Sequence, residues 1–359
     1  MTDKILPGPV SQEQEYYELL GEFTCACDRL VDQGLSYLVV ILCHELYRFL
    51  YPVEPYASFK QTEPVNFAVA HIRKLSRAAV EFAQAVTPYK SELEQVSQGQ
   101  WHLEPSERST SDLYSELWKE FDDHTLVEES YQLLTCRLPK SIIDECIVGK
   151  TVLDMGCGSG RYSIALAKAG AKQVVGVDVQ AKSFKAASDW CQRKCLPVEF
   201  QEAHVLSLPF ENESFDFVFC NGVIHHSESI EQGIRELKRV LKKSGRAFLY
   251  LYAAGGIFWK TRESLRTVFR RIPLSYTKAV LYLMGMPQNR FIFCDTWYVP
   301  VETWTTTEQL KDMLDRAGLS YVKVIGRGAF DLDGALEWEI PGARAMWGDG
   351  EHRYILARR

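Results

Sequence analysis

Two carboxylates, three closely spaced glycines and a pair of adjacent histidines are the residues of this chain best suited to chemistry. The glycines lie in "VLDMGCGSGRYSIALAKAGAKQVVGVD", Val152 to Asp178, at Gly156, Gly158 and Gly160. Asp154 stands two residues before the first glycine, and Asp178 ends the stretch. Glycines after an apolar run let the backbone approach a ligand at a helix N-terminus. A pyrophosphate-binding turn is normally spaced G-x-G-x-x-G, whereas here the spacing is G-x-G-x-G. A carboxylate at Asp154 would repel a diphosphate and attract a cation. A carboxylate at Asp178 suits a cis-diol, because one acceptor-only group takes both hydroxyl protons. His225 and His226, in "NGVIHHSES", are the candidates for a general base at neutral pH.

These residues need a frame. From Lys150 onward, short apolar runs at 151–155, 173–177, 198–201, 215–220 and 246–252 alternate with amphipathic segments at 161–168, 182–193 and 229–241. Continuous apolar strands between such helices indicate a parallel sheet covered on both faces. An aromatic and basic insertion at about 255–300 interrupts the pattern, which resumes with a helix at 306–317 and strands at 320–325 and 352–357. Residues 1–110 read instead as a helical N-terminal domain, with apolar spacings of three and four at 12–20, 24–51, 66–86 and 90–96. The polar stretch 97–112 reads as a linker, and 111–359 as the second domain.

The glycine turn, its two acids and the elements downstream resemble the class I S-adenosylmethionine-dependent methyltransferases, in particular the small-molecule group, over roughly Ile147–Tyr252. The resemblance implies an α/β, Rossmann-like, seven-stranded mainly parallel sheet with helices on both faces. It also implies S-adenosylmethionine as cofactor. Asp154 would face its methionine end, and the backbone of Gly156, Cys157, Gly158 and Gly160 would approach it closely. Asp178 would accept from the ribose hydroxyls, with Val179 and Gln180 bordering the adenine. Asn221 and Gly222, in "FDFVFCNGVIHH", would sit beside the methyl donor. One departure concerns the adenine amino group, where the family commonly places an acid. Here "AHVLSLPF" has His204 at that position, followed by Val205, whose backbone contacts survive the change. A neutral nitrogen of His204 and the carboxylate of Glu202 are the two candidates to replace the missing acceptor.

The methyl acceptor must be held by more variable parts. The helical stretch 112–134 is a candidate lid, with Tyr114 and Trp118, then Phe121 and His124, on its inward face. The insertion concentrates aromatic residues, and in "CDTWYVPVETW" they are interleaved with acids. Trp259, Asp295, Trp297 and Tyr298 are therefore candidates to hold a cationic acceptor, with core packing as the alternative. Lys260, Arg262, Arg266, Arg270 and Arg271 form a basic helix face, either solvated or recognising an anion on the acceptor.

The formal net charge of −6, with the excess acidity in the first 110 residues, argues against nucleic-acid or anionic-membrane partners. Ten scattered cysteines fit a reducing compartment and show no zinc spacing, so no metal and a cytoplasmic location are expected. The start of the chain is polar and acidic, unlike a signal peptide. The apolar run 35–51 contains His44, Glu45 and Arg48 and reads as a buried helix. The expected activity is methyl transfer to an oxygen or nitrogen of a small molecule, with natural-product biosynthesis as one setting. The N-terminal helices would serve as a lid, a docking surface or a homodimer interface. A peptide or protein methyltransferase and a non-catalytic cofactor-binding regulator stay open.

Overall fold

A computed structural model describes residues 11–50, 64–86, 107–118, 128–286, 290–324 and 343–359. They fall into two units. One draws on Met1–Leu103, Gly255–Val299 and Trp338–Gly348, the other on Glu104–Ala254, Pro300–Glu337 and Asp349–Arg359. The insertion thus belongs to the same unit as the N-terminal helices.

The second unit is built on a seven-stranded sheet. Its strands are β1 (Thr151–Met155), β2 (Gln173–Asp178), β3 (Val198–Glu202), β4 (Phe215–Asn221), β5 (Leu241–Tyr252), β6 (Leu319–Val324) and β7 (Glu351–Arg358). The order is β3-β2-β1-β4-β5-β7-β6. The first five strands run parallel, and β7 is antiparallel to both of its neighbours. This is the expected Rossmann-like methyltransferase fold.

The central strands β1 and β4 are largely apolar on both faces because both faces are covered. Along β4, Phe217 and Phe219 join one core cluster while Val218 and Cys220 join the other. The first cluster packs under helices Ser130–Arg137, Lys140–Cys146 and Arg161–Lys168 through Leu134, Ile143, Tyr162 and Leu166. The second packs under helices Ile230–Val240 and Thr307–Ala317 through Ile234, Leu237, Leu310 and Leu314. The same two-residue period turns Asp154 away from Leu153 and Met155, toward helix Arg161–Lys168.

Most element ends match the sequence reading within a residue or two. The exception is β5, which starts at Leu241 rather than 246 because Leu241 pairs with Phe215 across an irregularity in the ladder. Residues 107–112, expected in a linker, begin helix Glu107–Trp118 instead. The segment 90–96, Phe121 and His124 lie outside the described residues.

The first unit contains helices Gln12–Asp32, Ser36–Leu50, Pro64–Val86, Gly256–Phe269, Leu274–Leu283, Arg290–Tyr298 and Ala343–Trp347. The spacing suggested helices at 12–20 and 24–51, but helix Gln12–Asp32 runs through 21–23 and the chain breaks instead at Gly34, which has φ +74°. The basic helix face divides, with Arg262 and Arg266 turned inward and Lys260, Arg270 and Arg271 exposed. Arg262 and Arg266 are buried, donating to the carbonyls of Thr296 and Val299, and Arg271 pairs with Asp28 and Asp32. Arg262 and Arg266 hold the carbonyls at the C-terminal end of helix Arg290–Tyr298, as buried backbone acceptors require. Among the described residues, no helix is long and apolar enough to cross a membrane.

The ring of Phe219 is fully buried between Phe248, at 5.1 Å, and Tyr162, at 5.4 Å. Phe219→Ala is expected to lower unfolding free energy by about 3–5 kcal/mol in urea titration. A loss below about 1 kcal/mol would contradict this packing.

Candidate functional site

The turn between β1 and helix Arg161–Lys168 folds back on the end of β2. The N–H groups of Gly156 and Cys157 both donate to Val177 O, at 2.9 and 2.7 Å. Gly156, Gly158 and Gly160 have φ of +83°, +53° and +78°, a region that glycine enters at little cost. A Cβ on Gly156 would lie 2.3 Å from Val223 Cγ1, and one on Gly160 would lie 2.6 Å from Ala187 Cβ. Glycine is therefore required at both for shape as well as conformation. Cys157 is buried, and burial pushes its thiol well above the ordinary range.

Asp178 supports the same turn. Its Oδ2 accepts from Gly158 N–H at 3.0 Å, and Oδ1 accepts from Gln180 N–H at 3.4 Å. Asp154 is nearly inaccessible and accepts from Ser163 Oγ–H at 2.6 Å. Burial pushes its pKa up to about 7; the Ser163 hydrogen bond opposes this and the Asp178 charge adds to it. A cation near the turn would favour the charged form.

Val179 and Gln180 follow Asp178 and are half-buried. Gln180 Nε2 donates to Asp112 Oδ1 at 3.0 Å, and Lys182 pairs with the same carboxylate. Helix Glu107–Trp118 is thereby tied to the end of β2. Trp118 is its last residue. His204 Nδ1 accepts from Leu206 N–H at 3.1 Å, so the proton of the neutral ring lies on Nε2. That nitrogen donates, so His204 suits an adenine ring nitrogen and does not replace an acceptor for the amino group. Glu202 Oε2 accepts from Ala181 N–H at 3.2 Å, at the start of helix Ala181–Lys194. Val205 packs into the core beneath this loop.

At the end of β4, Asn221 pairs with Tyr250 of β5. The side-chain Oδ1 of Asn221 is buried and has no hydrogen-bond partner. Gly222, with φ +76°, leaves room for the Tyr250 ring 3.4 Å from where its Cβ would stand. The following 3-10 turn, Ile224–His226, presents two histidines in different settings. His225 is fully buried, its ring centroid 4.1 Å from those of both His226 and Tyr252. His226 Nδ1 lies 2.8 Å from Val301 O and must donate to it. Its Nε2 is then an acceptor, 3.1 Å from the Tyr114 hydroxyl. Thr110, one helical turn before Tyr114, accepts from Val301 N–H at 3.3 Å.

Arg137 is the site residue that sequence reasoning missed. Its Nε–H donates to the Tyr162 hydroxyl at 3.0 Å, and its guanidinium lies 5.1 Å from the Tyr250 ring centre. Its Nη1 is buried without a partner. Burial opposes its charge, but Tyr162, Tyr250 and Glu351 together raise its pKa above the ordinary value. Burial also disfavours a charged Tyr162, yet Arg137 and Arg161 hold that phenol below its usual range. Nothing in "CRLPK" singles out Arg137, whose partners are distant in sequence. A buried donor at Arg137 and a buried acceptor at Asn221, each bordering Tyr250, complement the carboxylate and ammonium of an amino acid. Among the described residues, no cluster of metal ligands occurs.

The candidates in the insertion lie in the unit of the N-terminal helices. Trp297 stacks on Phe269 at 5.4 Å, and the Tyr298 hydroxyl bonds to Thr277 Oγ1 at 2.6 Å and Ile272 O at 3.0 Å. Trp259 is buried with Arg262 5.5 Å from its ring, and Asp295 is half-buried with its backbone carbonyl near Arg262. Trp259, Trp297 and Tyr298 thus contribute to the packing of that unit.

The pKa of Asp154 lies above its unfolded value of 3.8, so between about pH 4 and 7 the folded chain holds the extra proton. Its contribution to stability is full below that window and is lost as pH rises through it. Asp154→Asn, which keeps an acceptor for Ser163, is expected to gain on the wild type by about 1–4 kcal/mol between pH 4 and pH 8. Calorimetric melts of both proteins across this range check it. Parallel pH profiles would overturn the assignment.

Residues 153–249 match the family model of a methyltransferase domain. The uncharacterized methyltransferase YcgJ of Bacillus subtilis (strain 168) is 36% identical over 106 residues, 29% of this chain and 42% of that protein. The tRNA U34 carboxymethyltransferase of Marinobacter nauticus is 28% identical over 183 residues, 50% of this chain and 46% of that protein. The 27-O-demethylrifamycin SV methyltransferase of Amycolatopsis mediterranei is 31% identical over 148 residues, 39% of this chain and 54% of that protein. The chain spans about half the length of these curated relatives. The crystal structure of YcgJ aligns with 65% of this chain and 99% of its own, at 21% identity and a TM-score of 0.41. Residues 153–249 thus form a methyltransferase domain, set in a sheet with the strand order β3-β2-β1-β4-β5-β7-β6.

Proposed function

We propose that this protein transfers a methyl group from S-adenosylmethionine to an oxygen or nitrogen of a small-molecule acceptor. The observation that carries the reading is the pair of buried, unpartnered polar atoms at Asn221 Oδ1 and Arg137 Nη1. An unmade hydrogen bond of this kind costs about 1–3 kcal/mol, and an amino-acid zwitterion supplies both missing partners. Asp178 takes the ribose hydroxyls, the N–H of His204 Nε2 meets the base, and the glycines allow the close backbone approach. S-adenosylmethionine, when bound, supplies an electrophilic methyl on a sulfonium sulfur, a charged donor with a neutral leaving group. The chain aligns the acceptor in line with that methyl and keeps water out. Helix Glu107–Trp118, fixed to Gln180, Lys182, His226 and Val301, is suited to both tasks.

The acidic balance of the chain and its likeness to the 27-O-demethylrifamycin SV enzyme support a small acceptor. A second reading, modification of tRNA, is favoured by the likeness to the tRNA U34 carboxymethyltransferase. Incubation with methyl-labelled donor and a cell extract separates the two. Label in the small-molecule fraction supports the first reading, and label on tRNA supports the second.

Arg137→Met tests the cofactor site. Affinity for S-adenosylhomocysteine should fall about 10–100-fold, the worth of a charge-assisted hydrogen bond. Affinity for methylthioadenosine, which lacks the amino-acid end, should not change. Calorimetric titration reads both, and equal losses would contradict the assignment.

A further inference from the structure

We infer that Tyr162 is a specificity-determining residue of the cofactor site, donating its phenolic proton to the same ligand carboxylate that Arg137 holds. This rests on the reading of Arg137 given above and goes beyond it by adding a second, uncharged donor. Tyr162 is buried in the first turn of helix Arg161–Lys168, directly after the glycine turn. Its hydroxyl accepts from Arg137 Nε–H at 3.0 Å, which uses a lone pair and leaves the phenolic proton to donate. Among the described residues, none accepts that proton. Nη1 of the same guanidinium is a second buried donor without an acceptor. Arg137 as a whole is only half-buried, so its outer edge is open to a ligand. Two neighbouring buried donors with nothing to receive them cost stability until an acceptor arrives.

The local charge points the same way. The Arg161 guanidinium lies 5.1 Å from the Tyr162 ring centre, on the helix that carries both residues. Glu351 acts on Arg137 through space, but its carboxylate is engaged by the Tyr250 hydroxyl at 3.0 Å and by Arg353. Burial disfavours a charged Tyr162, and the two arginines outweigh it, so the phenol is polarised toward giving up its proton. Such an O–H beside a guanidinium suits a charge-assisted bond to an anion. A carboxylate brings two oxygens that only accept, one for each donor. Asn221 Oδ1, an acceptor, is left for the ammonium. A ligand that keeps the nucleoside and the amine but lacks the carboxylate leaves both donors unmet, and the site rejects it on that ground.

Calorimetric titration of the full chain with S-adenosylhomocysteine and with its decarboxylated analogue tests this. Wild type should prefer the first by about 10²-fold or more, the worth of two bonds to a charged group. Tyr162→Phe should cut that preference about 10-fold, with binding of the analogue unchanged. Removing the hydroxyl also takes a partner from Arg137, so the same substitution is made in an Arg137→Met background. There it should again weaken S-adenosylhomocysteine about 10-fold, because the phenol bonds the ligand itself. No further loss in that background reduces Tyr162 to a support for Arg137 and overturns the inference. Equal losses for the two ligands mean that Tyr162 only holds the turn, and overturn it as well. A preference kept by Tyr162→Phe but abolished by Arg137→Met overturns the role of Tyr162 and leaves that of Arg137 standing. Equal affinity of the wild type for both ligands overturns the two together.

Discussion

The carboxyl edge of the sheet is organised by three hydrogen bonds that fold the glycine turn onto the end of β2. Gly156 and Cys157 share the Val177 carbonyl, and Gly158 donates to the Asp178 carboxylate. These bonds fix the start of helix Arg161–Lys168 and aim Asp178 at the space beside the turn. They also demand a backbone that runs through positive φ and passes within contact of Val223 and Ala187. Side chains at Gly156 or Gly160 would force the turn off β2, and the carboxylate would lose its orientation with it.

Around that anchor the second unit gathers polar groups that an apolar sheet would otherwise exclude. Asp154 lies beneath the turn with one hydroxyl partner, and Asn221 and Arg137 each hold a buried atom with none. Such groups persist at a cost in stability, and these three stand at or beside the carboxyl ends of β1, β4 and β5. Two well-filled cores on the faces of the same sheet offset that cost. Of Asn221 Oδ1 and Arg137 Nη1, one is an acceptor and the other a donor, the pairing that the proposed amino-acid zwitterion would meet. On the proposed reading, the donor's two ends would meet different chemistry, hydroxyls at Asp178 and charges at Arg137 and Asn221.

The strands, the glycine turn and the two acids were legible because their signals are local. An apolar run, a G-x-G-x-G spacing and an acid at the end of the next strand lie within a single stretch of 27 residues. Arg137 was invisible because its meaning comes from Tyr162 and Tyr250, brought to it only by the packed sheet. Tyr114 was noted as a lid aromatic, but its bond to His226 spans 112 residues of sequence and could not be read from spacing. The arginines of the insertion misled for a related reason. Helical spacing made Arg262 and Arg266 look like a surface stripe, whereas backbone carbonyls 33 or 34 residues away draw both inside. His204 shows a finer limit, since its residue type allowed an acceptor and only the bond from Leu206 settled which nitrogen carries the proton.

The central claim is that the glycine turn and its acids hold a cationic sulfonium nucleoside. A crystal structure of the full chain with S-adenosylhomocysteine tests it most directly. The account predicts ribose hydroxyls within hydrogen-bond reach of Asp178, and the homocysteine carboxylate and ammonium at Arg137 Nη1 and Asn221 Oδ1. A nucleoside bound elsewhere, with those two atoms still unpartnered, would contradict it.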